Sequence, residues 1–245
     1  MNVIMKALDA RKSVRVFADK PISKEEKEAI LFSATAAPTA GNQQMYTILD
    51  ITDQALKDRL AITCDNQPFI SKAPMILIFL ADFQKWYDAF VLGGASPRKP
   101  GAGDLLLAVS DANIAAQNAV TAAESLGIGS CYIGDIMENC EIHREMLNLP
   151  EYVFPAAMLV FGYPTEAQTA RKKPERSALK YIVHENGYRR MDKDTLSKML
   201  QKSHTDWDFE KWVQAFCERK YNSDFAKEMS RSVAEYLKAF ADKKA

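Results

Sequence analysis

Histidine is scarce in this sequence, three residues in 245, and the four cysteines, Cys64, Cys131, Cys140 and Cys217, contain no Cys-x-x-Cys pair. The first shortage leaves little material for a Ser-His or Cys-His nucleophile. The second excludes a disulfide-dense scaffold and the usual paired-thiol zinc site. Cys140 and His143 are spaced to share a metal, yet zinc usually takes three or four protein ligands and His184 and His204 have no supporting spacing. No metal is therefore expected, and the thiols read as small buried apolar groups. Net charge is also missing, because 32 Lys and Arg balance 32 Asp and Glu. The protein thus offers no overall field that would draw it to nucleic acid or an anionic membrane. The dinucleotide fingerprint G-x-G-x-x-G is absent, since Gly127 and Gly129 are followed by Tyr132 where the third glycine is needed, and no Walker A or G-x-S-x-G occurs. From Met1 to Phe17 the apolar residues are broken by Lys6, Asp9, Arg11, Lys12 and Arg15, so no secretory leader core is present there and a cytoplasmic protein is expected.

Hydrophobic residues make up 47% of the chain, enough to bury a substantial core. The pattern is mixed α and β. Ser23 with Glu26 forms a capping box for a helix over 24–36, stopped by Pro38. A β-branched and aromatic run at 46–51 reads as a strand, and a polar helix follows over 53–63. The continuous apolar run 75–81 suits a strand covered on both faces. Residues 92–104, rich in Gly and Pro around Arg98 and Lys99, read as a mobile loop, either a binding lid or a plain connector. From Leu105 to Leu126 the only charges are Asp111 and Glu124. The segment has the length of a membrane span but too many polar interruptions, so it reads as a central helix, with a subunit interface as one source of cover. Runs 130–133 and 156–161 read as short strands. After Ser223, apolar residues at spacings of three, four and seven give an amphipathic helix. No linker separates two domains, so a single domain with a helical extension from about residue 190 is expected.

Two cationic clusters remain. Arg11, Lys12, Ser13 and Arg15 lie near the start, and Lys172, Lys173 and Arg176 lie far along the chain. A site made of cations, amides and small residues is what flavin mononucleotide (FMN) requires. Its phosphate is a dianion suited to guanidinium, ammonium and hydroxyl donors, and its reduced ring carries negative charge over N1 and O2 that a fixed cation would stabilise. Arg15 is the candidate for the ring-side cation. Taken alone, Arg11–Arg15 would equally be a solvated helix end.

The order of several segments resembles the nitroreductase family of FMN-dependent oxidoreductases. Arg11-Lys12-Ser13-Val14-Arg15-Val16-Phe17 with Pro21-Ile22 is similar to the family's opening. Ala37-Pro38-Thr39-Ala40-Gly41-Asn42-Gln43-Gln44 is similar to its Ala-Pro-Ser-x-x-Asn-x-Gln turn. Gln67 stands where longer members place a ring-contacting glutamine, and Tyr132-Ile133-Gly134 matches a segment whose amides face flavin N5 and O4. Gly162-Tyr163-Pro164 resembles a strand end, and Lys173 with Arg176 resembles the late phosphate clamp. The resemblance covers roughly 5–190. Arg11-Lys12 replaces the His-Arg of many longer members, and Glu175 is inserted in the clamp, which leaves Lys172 and Lys173 as alternatives there.

The resemblance implies an α+β fold with a central, mostly antiparallel sheet flanked by helices, an intertwined homodimer and one FMN at each subunit interface. The implied site residues are Arg11, Lys12, Ser13, Arg15, Thr39, Asn42, Gln67, Tyr132, Ile133, Gly134, Lys173 and Arg176. It further implies ping-pong transfer, with NADH or NADPH as donor and a nitroaromatic, quinone or flavin as small-molecule acceptor, and no acid-base residue. Phe69, Phe83, Trp86, Tyr87 and Phe90 are candidates for an acceptor pocket or for core. Rival readings are a specialised member (dehalogenase or azoline dehydrogenase), an FMN-holding regulator or storage protein without turnover, and a metabolite-binding or scaffold protein without flavin.

Overall fold

The computed structural model describes residues 1–201 and 207–241; His204 lies outside them. The chain divides into two compact units, Met1–Arg171 with Glu228–Ala245, and Lys172–Lys227. Of the extension expected from about residue 190, the part up to Lys227 falls within the second unit, which begins at Lys172, and the part from Glu228 on belongs to the first.

The first unit is built on a four-stranded sheet of β1 (Tyr46–Asp50), β2 (Met75–Asp82), β3 (Gly129–Ile133) and β4 (Val153–Gly162). The order is β1-β2-β4-β3, and every neighbouring pair is antiparallel. β2 and β4 are buried along their whole length, which is why their sequences are continuously apolar rather than alternating. The period-2 geometry still sorts their side chains. Leu77, Phe79 and Ala81 join the cluster under the long helix, while Ile76, Ile78 and Leu80 join the cluster on the other face with Leu60 and Ile70.

The helices in this unit are α1 (Val3–Ala10), α2 (Lys24–Thr35), α3 (Gln54–Thr63), α4 (Gln84–Leu92), α5 (Ala102–Ser125), α6 (Cys140–Met146) and α7 (Glu166–Ala170). The capping box at Ser23 and Glu26 is formed, and Asp53 caps α3. α5 begins three residues before Leu105, because the Asp104 carboxylate accepts the Gly101 N–H (2.8 Å) and pairs with Arg98. Its buried stripe of Ala108, Ala112, Ala115, Ala116, Ala119 and Ala123 lets the helix lie close on the sheet. Leu106, Leu107 and Ile114 on its other side are exposed, as are Val3, Ile4, Met5 and Leu8 of α1.

The second unit carries α8 (Lys193–Gln201) and α9 (Phe209–Phe216), with Trp212 stacked on Phe216 at a centroid spacing of 4.9 Å and Trp207 tilted against Trp212 at 5.3 Å. α10 (Asp224–Leu237) begins here and from Glu228 on belongs to the first unit, and Ser223 Oγ accepts the Ala226 N–H as expected of its cap. No helix among the described residues is long and apolar enough to cross a membrane.

Candidate active site

The cationic opening does not remain a solvated helix end. Arg11 ends α1, and the chain then runs beside the sheet. Ser13 bridges Ser130 of the edge strand β3, Val14 N–H donates to the Ser130 carbonyl (3.0 Å), and Phe17 bridges Pro164. Two glycines make this approach possible. A Cβ on Gly129 would stand 2.5 Å from Val14 Cγ2, and one on Gly162 would stand 2.5 Å from Phe17 Cδ1, distances that no packed side chain tolerates. The glycines thus hold residues 11–17 against β3, which brings Arg11, Ser13 and Arg15 beside Cys131 and Arg11 beside Tyr132.

The electrostatics of this edge follow. Burial pushes the Cys131 thiol up, against the pull of Arg15, Ser13 and Arg11. Burial pushes the Tyr132 hydroxyl up to about 12, with Arg11 opposing, and that hydroxyl donates to Gln117 Oε1 at 3.4 Å. Arg11 Nη1 is buried with no hydrogen-bond partner. A guanidinium nitrogen in that position costs free energy until an anion accepts from it, so the cluster fits the phosphate of an FMN. Arg15 is exposed. Its N–H donates to Gln168 Oε1 (3.2 Å) and its guanidinium lies 5.9 Å from the centre of the Phe69 ring. That contact puts the 67–69 turn beside Arg15, although the Gln67 side chain donates locally to the Cys64 carbonyl (2.9 Å). Ile133 is buried at the end of β3, and exposed Gly134 opens a 3-10 turn, Gly134–Met137. Lys12 Nζ donates to the Thr169 and Arg171 carbonyls, each at 2.5 Å, at the end of α7.

Thr39 and Asn42 are placed differently. Their turn leads into β1, the opposite edge of the sheet from β3, roughly 14 Å away at about 4.8 Å per strand spacing. The turn is held by buried Asp111 of α5, whose carboxylate accepts the Ala40 N–H (2.9 Å) and the Met45 N–H (3.2 Å). Gly41, Asn42 and Gln44 adopt positive φ, and Trp86 Nε1 donates to the Gln43 carbonyl (2.7 Å). One chain therefore does not bring Thr39 and Asn42 to the Arg11 cluster. Lys173, half-buried, and Arg176, exposed, belong to the second unit.

The aromatic candidates separate. Phe69 lies by Arg15, where a cavity of about 810 Å³ is also lined by Phe17, Lys20 and Lys72. Phe83, Trp86 and Tyr87 pack against the core under α5, and Phe83 with Phe90 lines a smaller cavity of about 300 Å³ whose wall also includes Ala95–Arg98 of the loop. Both ring nitrogens of His143 are engaged, with the Ile136 carbonyl (3.0 Å) and Thr63 Oγ1 (2.8 Å), and no metal-holding cluster occurs among the described residues. Sequence reasoning missed Asp111 as the support of the 38–44 turn, although an acid in the middle of an apolar helix was a usable signal. It also missed Cys131 as a neighbour of the cations and Gln168 as the partner of Arg15, for which no signal existed.

Residues 8–163 match the Nitroreductase family. The chain belongs to the nitroreductase family. It is 30% identical over 238 residues to "FMN reductase [NAD(P)H]" of Bacillus subtilis, covering 96% of this chain and 91% of that protein. It is 35% identical over 201 residues to the "Oxygen-insensitive NADPH nitroreductase" of Salmonella typhimurium, covering 81% and 80%. Among solved structures, nitroreductase A of Vibrio parahaemolyticus superposes with a TM-score of 0.83 at 27% identity over the whole of both chains. The α+β fold is thus the nitroreductase fold, and its central sheet is antiparallel throughout.

Proposed function

We propose that this chain is an FMN-dependent NAD(P)H oxidoreductase that reduces nitroaromatics, quinones or flavins by ping-pong exchange, the donor leaving before the acceptor takes its place. The observation that carries the reading is the orphaned, buried Nη1 of Arg11 grouped with Ser13, Arg15 and Tyr132, in a chain whose relatives are named FMN reductase and NADPH nitroreductase. FMN supplies the acceptance and return of a hydride. Arg11 and Ser13, with Lys12, would hold the phosphate. Arg15 would supply the positive charge that the reduced ring calls for. Gln67 and the Ile133–Gly134 amides orient the ring, and no side chain of the protein needs to move a proton.

Thr39 and Asn42 complete the site from a second copy. The placement of their turn at the opposite sheet edge supports a homodimer with shared sites, and the exposed apolar residues of α1 and α5 offer the surface to form it. The protein acts in the cytoplasm on small molecules.

The test is an anaerobic absorbance spectrum of the purified protein before and after NADH, then NADPH. Flavin absorbance near ~450 nm that bleaches with a nucleotide is expected. Bound flavin that neither nucleotide bleaches would move the assignment to a regulator or a specialised member. A colourless protein that takes up no added FMN would sink it.

A further inference from the structure

The turn after Tyr132, Ile133 and Gly134 is held from a distant part of the chain. Ser232 of α10, fully buried, accepts the Cys140 N–H (2.9 Å) and donates to the Met137 carbonyl (2.7 Å). Glu228 accepts the Asn139 N–H (3.1 Å) and is itself paired with Arg231, which also grips Glu141 (2.9 Å). From the opposite side, the Asn139 side chain donates to the Thr63 carbonyl (2.9 Å), and His143 holds the Ile136 carbonyl.

Within this clamp sits Glu138, 5% exposed, its Oε1 buried and without a partner. It faces carboxylates from each element packed on it: Asp135 of its own turn, Asp65 after α3 and Glu228 of α10. Burial first, then these three, push its carboxyl up to about 7. The neighbouring ionisable groups bring no free positive charge. Arg231 is committed to Glu228 and Glu141, while burial holds the His143 imidazole down and the Cys64 thiol up.

We propose that Ser232 and Glu138 are positioning residues for the 134–140 turn: the Ser232 bonds fix it while Glu138 is protonated, and an ionised Glu138, repelled by Glu228 and in need of water, loosens the α10 clamp. Its consequence for cofactor binding rests on the reading of Tyr132–Gly134 as flavin-facing. The device makes FMN affinity fall as pH rises through neutrality.

The experiment compares the full-length wild type, Glu138→Gln, Ser232→Ala and Ser232→Thr at about pH 6 and about pH 8.5. Amide hydrogen exchange of the peptide covering 132–141, corrected for intrinsic rates, is read beside FMN titration. Wild type should lose protection and at least about fivefold in FMN affinity at the higher pH, the low end of coupling between linked sites. Glu138→Gln should keep both at either pH. Ser232→Ala should lose both at either pH, with Ser232→Thr retaining more by keeping the hydroxyl. Identical pH profiles in wild type and Glu138→Gln would overturn the proposal, and that arm decides it even should Ser232→Ala fail to fold. Absence of FMN uptake at both pH values, with the exchange difference intact, would sink the flavin reading and leave the clamp standing.

Discussion

The two edges of the sheet solve the placing of a functional loop in opposite ways. At the β3 edge, backbone bridges and two glycines hold residues 11–17, so the guanidiniums of Arg11 and Arg15 are not consumed in holding the segment and a buried donor is left over. At the β1 edge a buried charge does the holding, since both Asp111 oxygens accept backbone N–H groups of the 38–45 turn, and the surface it presents is small and neutral. At these two edges, the guanidinium left over for a ligand belongs to the segment that backbone bridges and glycines hold in place.

The largest test of that contrast is Asp111→Ala, which strands two backbone donors. It should cost about 3 kcal/mol in urea unfolding and leave Arg11–Arg15 in place; a loss below about 0.5 kcal/mol would mean the turn holds itself. Gly129→Ala attacks the other edge by driving a methyl into Val14, at about 2 kcal/mol, most of it recovered in the double variant with Val14→Ala. Arg15→Ala should weaken FMN binding about tenfold and slow flavin reduction with little change in Tm. Normal binding and turnover in that variant would move the ring-side cation elsewhere.

A subtler effect separates buried acids that are satisfied from one that is not. The folded protein keeps the Glu138 proton up to about 7 against an ordinary 4.5, so between those values the unfolded chain releases a proton the native state retains. Stability then falls as pH rises through that window and levels above it. His143, whose folded value is lowered by burial, contributes stability that is lost as pH falls. Subtracting the Glu138→Gln curve from wild type removes that opposing trend and should leave the downward slope alone. As the smallest effect, Lys24→Ala, which breaks the pair with Glu28 at side-chain exposures of 82% and 65%, should change stability by less than about 0.5 kcal/mol.

Much of this was readable from residue order. The capping box at Ser23, the apolar run of β2 and the long Ala-rich helix declare themselves by local chemistry, and the cationic opening by its sequence company. β4 was read too short, from 156 to 161, because Pro155 argues against a strand interior. In the fold, Pro155 lies opposite Leu80, where the register shifts between Phe79 and Leu80, a place where a missing N–H is tolerated. α1 and α4 passed unnoticed because neither buries a residue, so no core periodicity marks them. That Thr39 and Arg11 occupy opposite edges depends on strand order, which pairs β2 with β4 across the whole of α4, α5 and β3 and leaves no local trace in the sequence.

The clamp on the 134–140 turn also has a meaning in time. Its hydrogen bonds join residues 89 to 95 positions apart, so when the turn leaves the ribosome its partners in α10 have yet to be made. At about 5–20 residues per second the turn waits several seconds in an unclamped form, with Glu138 still open to water. Under the proposed reading of Tyr132–Gly134 as flavin-facing, cofactor capture before α10 is made would meet an unclamped turn.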